Sequence, residues 1–409
     1  MNLVTEIREG FGISWDAIRA NKLRSVLTTL GIVIGIVTVT LMGTALEGLN
    51  QSFMRSISTL GADVFYVSRS SWINENEADW YKSQRRRPIK VADARTLADQ
   101  LTLSSAIAPM VDWMDRVEFG RRTSTGVTIV GTTDQYLQTS GVTVSEGRFI
   151  SPADAAGGRP VCVIGTQVAT NLFQGESPIG NKVKIGRQTY EVIGVLEKQG
   201  TIMGVFSLDN RAIVPLEKFM STVWNNPDIT IQVKARELVQ LDDAREELRY
   251  AMRRIRHIAP SDPDDFAINQ QGQFVDMFHR VAGMIAGVGF FITGLSLFVG
   301  GIGIMNIMFV SVAERTREIG IRKAIGAKQR TILLQFLTEA GCICLLGGAI
   351  ALGIAWPLTL VMQKFLPAQM SVEVAGVALL VSLVTGVVSG FLPAWRAARM
   401  NPVDALRSE

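Results

Sequence analysis

Four stretches long enough to cross a bilayer govern what this 409-residue chain can fold into. A helix needs about 20 apolar residues to span membrane hydrocarbon. Residues 26–46, 282–310 and 374–395 carry no charge, and 331–356 carries one, Glu339. The first run exceeds the 7–15 apolar residues of a signal peptide, so it reads as a retained anchor. Between the first and second runs lies polar, mixed sequence, residues 47–281. The fold class is therefore a membrane protein with four transmembrane α-helices plus a large extracytoplasmic α+β domain. Composition agrees: 19% charged residues and 47% hydrophobic ones are too few charges for a typical soluble domain and too much apolar content for a disordered chain.

Lysine and arginine set the orientation, because cytoplasmic loops carry the excess. Arg8, Arg19, Lys22 and Arg24 precede the first span. Arg315, Arg317, Arg322, Lys323, Lys328 and Arg330 lie in the 311–330 segment, and Arg396, Arg399 and Arg407 follow the last span. The short 357–373 loop has only Lys364. Both termini and the 311–330 loop are thus expected in the cytoplasm, with 47–281 and 357–373 outside. The net charge of +4 arises from these cytoplasmic segments, which removes a nucleic-acid reading.

The leader, residues 1–25, repeats Leu3, Ile7, Phe11, Trp15 and Ile18 on one helical face. It reads as an amphipathic helix on the inner leaflet or a stub packed on protein. Small-xxx-small pairs occur at Gly31/Gly35, Gly283/Gly287 and Gly386/Gly390, a spacing that lets helices approach closely. Glu339 is an intramembrane carboxylate, hence a functional candidate or an interfacial group that snorkels or bonds nearby Ser or Thr.

In the outside domain, strands are expected at Asp63–Val67, Val127–Val130, Val161–Ile164, Lys182–Ile185, Tyr190–Leu196 and Ile229–Val233. Helices are expected at Val91–Leu103, Gln167–Phe173 and Leu238–His257. Residues 69–90 lack an apolar period but hold Trp72, Trp80, Tyr81 and Arg85, residue types found at interface hot spots. They read as a contact for a periplasmic partner or as a solvated loop.

Catalytic patterns are absent from the sequence. It has no P-loop and no Gly-x-Ser-x-Gly elbow. Three Cys and two His offer neither a disulfide framework nor metal-ligand spacing. The chain is expected to be no enzyme and to bind no metal or cofactor; any energy comes from a partner.

Two cytoplasmic runs carry the most information: Glu314-Arg-Thr-Arg-Glu-Ile-Gly-Ile-Arg-Lys-Ala-Ile-Gly-Ala327 and Pro393-Ala-Trp-Arg-Ala-Ala-Arg-Met-Asn-Pro-Val-Asp-Ala-Leu-Arg407. The first alternates charge with a sparse apolar set, suited to a short helix presented to a protein surface. Both runs, with Glu146-Gly-Arg-Phe149, Gly180-Asn-Lys-Val-Lys-Ile-Gly186 and Gln335-Phe-Leu-Thr-Glu-Ala340, resemble the FtsX-like permeases of MacB-type ABC transporters, over nearly the whole chain.

That resemblance implies a porter-like outside domain with an inserted Sabre-like lobe, about residues 126–225. It implies dimerisation, with a second copy or a paralogous permease, through the first two spans, where Gly31, Gly35, Gly283 and Gly287 lie. It implies that the 311–330 loop docks on an ABC ATPase that holds ATP and Mg, through Glu314, Arg315, Arg317, Glu318, Arg322 and Lys323, with charge pairs supplying the hold. ATPase closure would reach the outside domain by mechanotransmission, where an adaptor and an outer-membrane channel join. Export of a drug or peptide is the expected role, with lipoprotein release or control of a cell-wall hydrolase as alternatives. Full MacB chains begin with an ATPase domain; with 25 residues before the first span, the ATPase is expected on a separate polypeptide.

Overall fold

The computed structural model describes residues 22–58, 61–73, 77–202, 206–364 and 366–407. The amphipathic pattern at Leu3–Ile18 lies outside the described residues. The chain divides into two compact units, Phe53–Phe278 and the remainder.

Elements run in chain order as follows. Helix α1 spans Lys22–Ile57; then come β1 Val64–Ser68, α2 Glu77–Gln84, α3 Val91–Gln100, β2 Ser104–Phe119, β3 Arg122–Thr132, α4 Tyr136–Thr139 and β4 Val144–Gly147. Next are α5 Pro152–Ala156, β5 Val161–Ile164, α6 Thr166–Phe173, β6 Lys182–Ile185, β7 Gln188–Leu196, β8 Thr201–Ile202, β9 Phe206–Ser207 and β10 Arg211–Pro215. The chain continues through α7 Leu216–Thr222, β11 Thr230–Ala235, α8 Leu241–Ile255 and β12 Ala267–Gln270. It finishes with α9 Gln271–Glu314, α10 Thr316–Ala324, α11 Gln329–Met362, α12 Val372–Arg399 and α13 Pro402–Arg407.

The unit Phe53–Phe278 is built on one mixed sheet, ordered β12-β1-β11-β2-β3-β10-β5-β7-β4, with β6 bridging β2 and β7. Strand β2 is shared by both halves. Its first part pairs with β11, from Ser104↔Ala235 to Met110↔Thr230, and its second with β3, from Val111↔Gly131 to Phe119↔Arg122. Alternate residues of β5 and β10 enter different apolar clusters. Cys162, Ile164, Ala212 and Val214 join one; Val161, Val163 and Ile213 join the other. Successive side chains of a strand point to opposite faces. With both faces covered, these strands read as unbroken apolar runs. Residue 126 lies inside β3, and β2 carries the sheet from one half to the other.

The second unit holds the apolar helices. Among the described residues, four helices are long and apolar enough to cross a membrane. α1 and α9 are much longer than their uncharged runs. At 1.5 Å per residue, 36 and 44 residues make rods of about 54 and 66 Å, against about 30 Å of hydrocarbon. Hydropathy marks only the lipid-buried part of such a helix. Polar residues such as Glu47 and Gln51, which bond each other at 3.0 Å, continue the same backbone hydrogen bonding.

Small residues set the helix contacts. A Cβ on Gly31 would lie 3.1 Å from the Cα of Gly300, and one on Gly35 3.1 Å from Leu297. α1 and α9 therefore meet backbone to backbone, as glycine at four-residue spacing allows. α11 and α12 do the same. A Cβ on Gly348 would lie 2.9 Å from Ser382, Gly390 is closed by Ala340, and the Ser382 hydroxyl donates to the Cys344 carbonyl at 2.5 Å.

Candidate coupling site

The 311–330 segment links α9 to α11 through the short helix α10. α9 ends at Glu314, and Arg315 breaks it (φ −101°, ψ 16°) before α10 begins. α10 stops at a Schellman motif. The Ala327 N–H donates to the Arg322 carbonyl and the Gly326 N–H to that of Lys323, each at 3.0 Å. Gly326 adopts φ +98°, a conformation that favours glycine.

Ile319 and Gly320 turn inward. Ile321 and Ile325, one turn apart, are 47% and 82% exposed. They form an aliphatic ridge within a charged loop. Glu314, Arg317, Glu318, Lys328 and Arg330 are exposed around it. α10 is held from behind by polar ties. Arg322 donates to Gln335 Oε1 at 2.6 Å and to Glu318 Oε1 at 2.5 Å. Lys323 Nζ donates to the Met400 carbonyl at 2.6 Å, at the start of the tail. Burial pushes the Lys323 amine below its ordinary range. Arg315 Nη1 stands 3.4 Å from a carboxylate oxygen of Glu339. A cleft of about 210 Å³ lined by Arg315, Glu318, Ile319, Arg322, Gln335 and Phe336 separates α10 from α11.

Of the six charged residues expected to dock an ATPase, four are thus engaged within the chain: Arg315, Glu318, Arg322 and Lys323. Glu314 and Arg317 face solvent with no ion pair among the described residues, and Glu318 is exposed while paired to Arg322. From the sequence, Ile319, Ile321 and Ile325 read together as the sparse apolar set of a helix presented to a protein surface; in the structure Ile319 is buried, and only Ile321 and Ile325 of the three face outward. Glu339 is 3% exposed and bonds an arginine rather than Ser or Thr.

The four glycines expected at a dimer interface divide. Gly31 and Gly35 are used up in α1–α9 packing. A Cβ on Gly283 or Gly287 would meet nothing within 4 Å among the described residues. Arg396 stacks over the Phe309 ring at 6.0 Å, and Arg399 over Trp395 at 4.4 Å.

On the sheet-containing unit, the 69–90 segment is not all loop, since it contains α2. Trp72 is built in. Its backbone N–H donates to Asn269 Oδ1 at 2.9 Å and its ring lies 4.8 Å from Tyr66 and 5.1 Å from Phe274. It is therefore a packing residue. Trp80 and Tyr81 are 47% and 62% exposed and meet edge-on at 5.0 Å, and Arg85 is exposed. A second exposed aromatic pair, Trp113 and Trp224 at 6.3 Å, was not anticipated. Among the described residues, no group of His, Cys, Asp or Glu is arranged to hold a metal ion.

Comparison with known proteins places these features in context. Residues 25–251 match the MacB-like periplasmic core domain, and residues 290–402 match the FtsX-like permease C-terminal domain. The chain is 30% identical to the macrolide export ATP-binding/permease protein MacB of Syntrophobacter fumaroxidans, over 99% of this chain and 64% of that protein. It is 32% identical to the pyoverdine export ATP-binding/permease protein PvdT of Pseudomonas syringae pv. tomato, over 99% of this chain and 60% of that protein. It thus spans about three-fifths of the length of these relatives. The periplasmic region of MacB from Actinobacillus actinomycetemcomitans is similar with a TM-score of 0.45 and 19% identity, covering 55% of this chain and 95% of that one.

Proposed function

The chain belongs to the permease family defined by a MacB-like periplasmic core domain and an FtsX-like C-terminal domain, and we propose that it is the membrane subunit through which a partner ABC ATPase drives export of a drug, peptide or similar substrate. One observation carries this reading: α10 and its C-cap present Ile321 and Ile325 to solvent while the other face of the helix is tied to α11 and the tail. An exposed aliphatic ridge on a fixed support is the chemistry of a protein-docking anchor. Glu314 and Arg317 form its charged rim, where they steer association more than they hold it.

Docking there would act at the end of α9, a helix continuous from Glu314 back to Gln271. Together with α1 it offers a path from nucleotide state inside to the periplasmic core outside, without substrate crossing the bundle. Gly283 and Gly287 are free to accept a second permease copy. The relatives named for macrolide and pyoverdine export support an export role, with an adaptor and outer-membrane channel completing the path. No nucleic acid takes part.

Reconstitution in nanodiscs with the ATPase tests the reading. ATP hydrolysis should rise with at least one drug or peptide of a candidate panel. A rate indifferent to every compound yet responsive to a lipoprotein or to a cell-wall hydrolase would replace export by lipoprotein release or by regulation.

A further inference from the structure

Two polar ties to α11, one from Arg315 at the α9–α10 break and one from Arg322 on α10, form a ladder. Gln335 and Glu339 are four residues apart on α11 and share one face. Arg315 and Arg322 are seven apart, two turns, and face them. The lower rung, Arg322–Gln335 at 2.6 Å, involves a neutral amide, and Arg322 has a second, exposed partner in Glu318. The upper rung differs in kind. Glu339 is 3% exposed, lies about 15 Å along α11 from Gln329 at 1.5 Å per residue, and faces Arg315 Nη1 with both oxygens, at 3.4 and 3.5 Å. Arg315 is its one cationic partner among the described residues. A buried carboxylate stripped of its cation is strongly unfavourable.

We propose that the Arg315–Glu339 ion pair is a clamp that makes α10 and α11 move as one body, so that displacement of the coupling helix enters α11 and, through its glycine-mediated packing, α12. Arg315 occupies the break between α9 and α10, where the chain would otherwise hinge. Tilting α10 away must either strand Glu339 or carry α11 along. The clamp itself is independent of any partner; its role in transmission rests on the ATPase-docking reading.

The test uses the full chain in nanodiscs, with Arg315→Gln, Glu339→Gln and the double variant. Hydrogen exchange over residues 316–327 should quicken about tenfold or more in all three, with the sheet unchanged. Thermal stability should fall furthest for Arg315→Gln, which leaves a buried anion alone. It should recover in the double variant, which leaves none. Glu339→Gln should be milder, because Arg315, whose side chain is 26% exposed, reaches water. Wild-type exchange in the double variant, or additive losses of stability, would overturn the clamp. With the ATPase added, Glu339→Gln, which leaves every residue of the docking loop in place, should capture it normally but stimulate hydrolysis about tenfold less, about 1.4 kcal/mol. Full stimulation, or loss of capture, would overturn the transmission role. Failure of the wild-type chain to capture any ABC ATPase would count against the docking reading and leave the exchange result to decide the clamp.

Discussion

Replacing Ile325 with alanine should weaken ATPase binding about thirtyfold without harming the permease. Isoleucine loses three carbons on truncation, and burial of each contributes about 0.8 kcal/mol. The side chain is 82% exposed in the free permease, so nearly all of that contribution is still available to a partner. The product is about 2 kcal/mol, which is about thirtyfold in Kd. Biolayer interferometry, with the nanodisc-held permease immobilised and purified ATPase in solution, reads this directly. The melting temperature should not move, because the residue supports nothing inside the chain. An affinity within about twofold of wild type would refute the ridge as the anchor.

Glu314→Arg combined with Arg317→Glu should slow ATPase association at low salt and matter much less at high salt, as rim charges do; equal effects at both salts would place them in a dry interface. Gly31→Leu should destabilise the folded chain by about 1–3 kcal/mol through overpacking against Gly300, seen as a lower melting temperature. Gly287→Leu should leave stability unchanged, and a loss of crosslinked dimer on that substitution would assign Gly287 to a second copy. Asp154, buried at the start of α5, accepts from Arg148 at 2.6 Å, Ser151 Oγ at 2.7 Å and Arg159 at 3.2 Å. The Arg148 hydrogen bond foremost holds its pKa well below the usual carboxylate range. A depressed folded pKa stabilises above the unfolded value, about 4, and that stability drains away as pH falls below it. Asp154→Asn should therefore lower the melting temperature at pH 7 by about 4–8 °C, for about 2 kcal/mol, and the gap to wild type should close on acidification; a constant gap would rule out the ionised network. Trp72→Ala should destabilise by about 3–5 kcal/mol while Trp80→Ala should not, which thermal unfolding distinguishes.

Much of this architecture was legible because its signals are local. Apolar runs marked the four long helices. Val161–Ile164 and Lys182–Ile185 are strands at the expected residues, and Gly326 ends α10 where a left-handed residue is needed. β2, the longest strand, was not legible. Its Ser-Ser-Ala-Ile-Ala-Pro-Met-Val-Asp-Trp-Met-Asp run lacks two-residue alternation, because it passes from a doubly covered stretch, Ala106–Pro109, to an exposed one, Asp112–Met114. Pro109 also argues against a central strand. Its carbonyl is used nonetheless, accepting from Thr132 Oγ1 at 2.9 Å. The coupling site was half legible. Charge density located it, but which charges face outward depends on partners distant in sequence: Glu339 for Arg315, Gln335 for Arg322, Met400 for Lys323. Which of the aliphatics face outward was hidden for the same reason, since composition cannot tell a buried isoleucine such as Ile319 from an exposed one such as Ile325.

The central claim is that α10 hands the work of an ATPase to the membrane helices. Photo-crosslinking from a benzoylphenylalanine placed at residue 325 of the membrane-embedded chain, with the adduct identified by mass spectrometry, tests it most directly. The account predicts a crosslink to an ABC ATPase from residue 325 and none from the buried residue 319. A crosslink from 325 only to lipid or to proteins without a nucleotide-binding domain would contradict it.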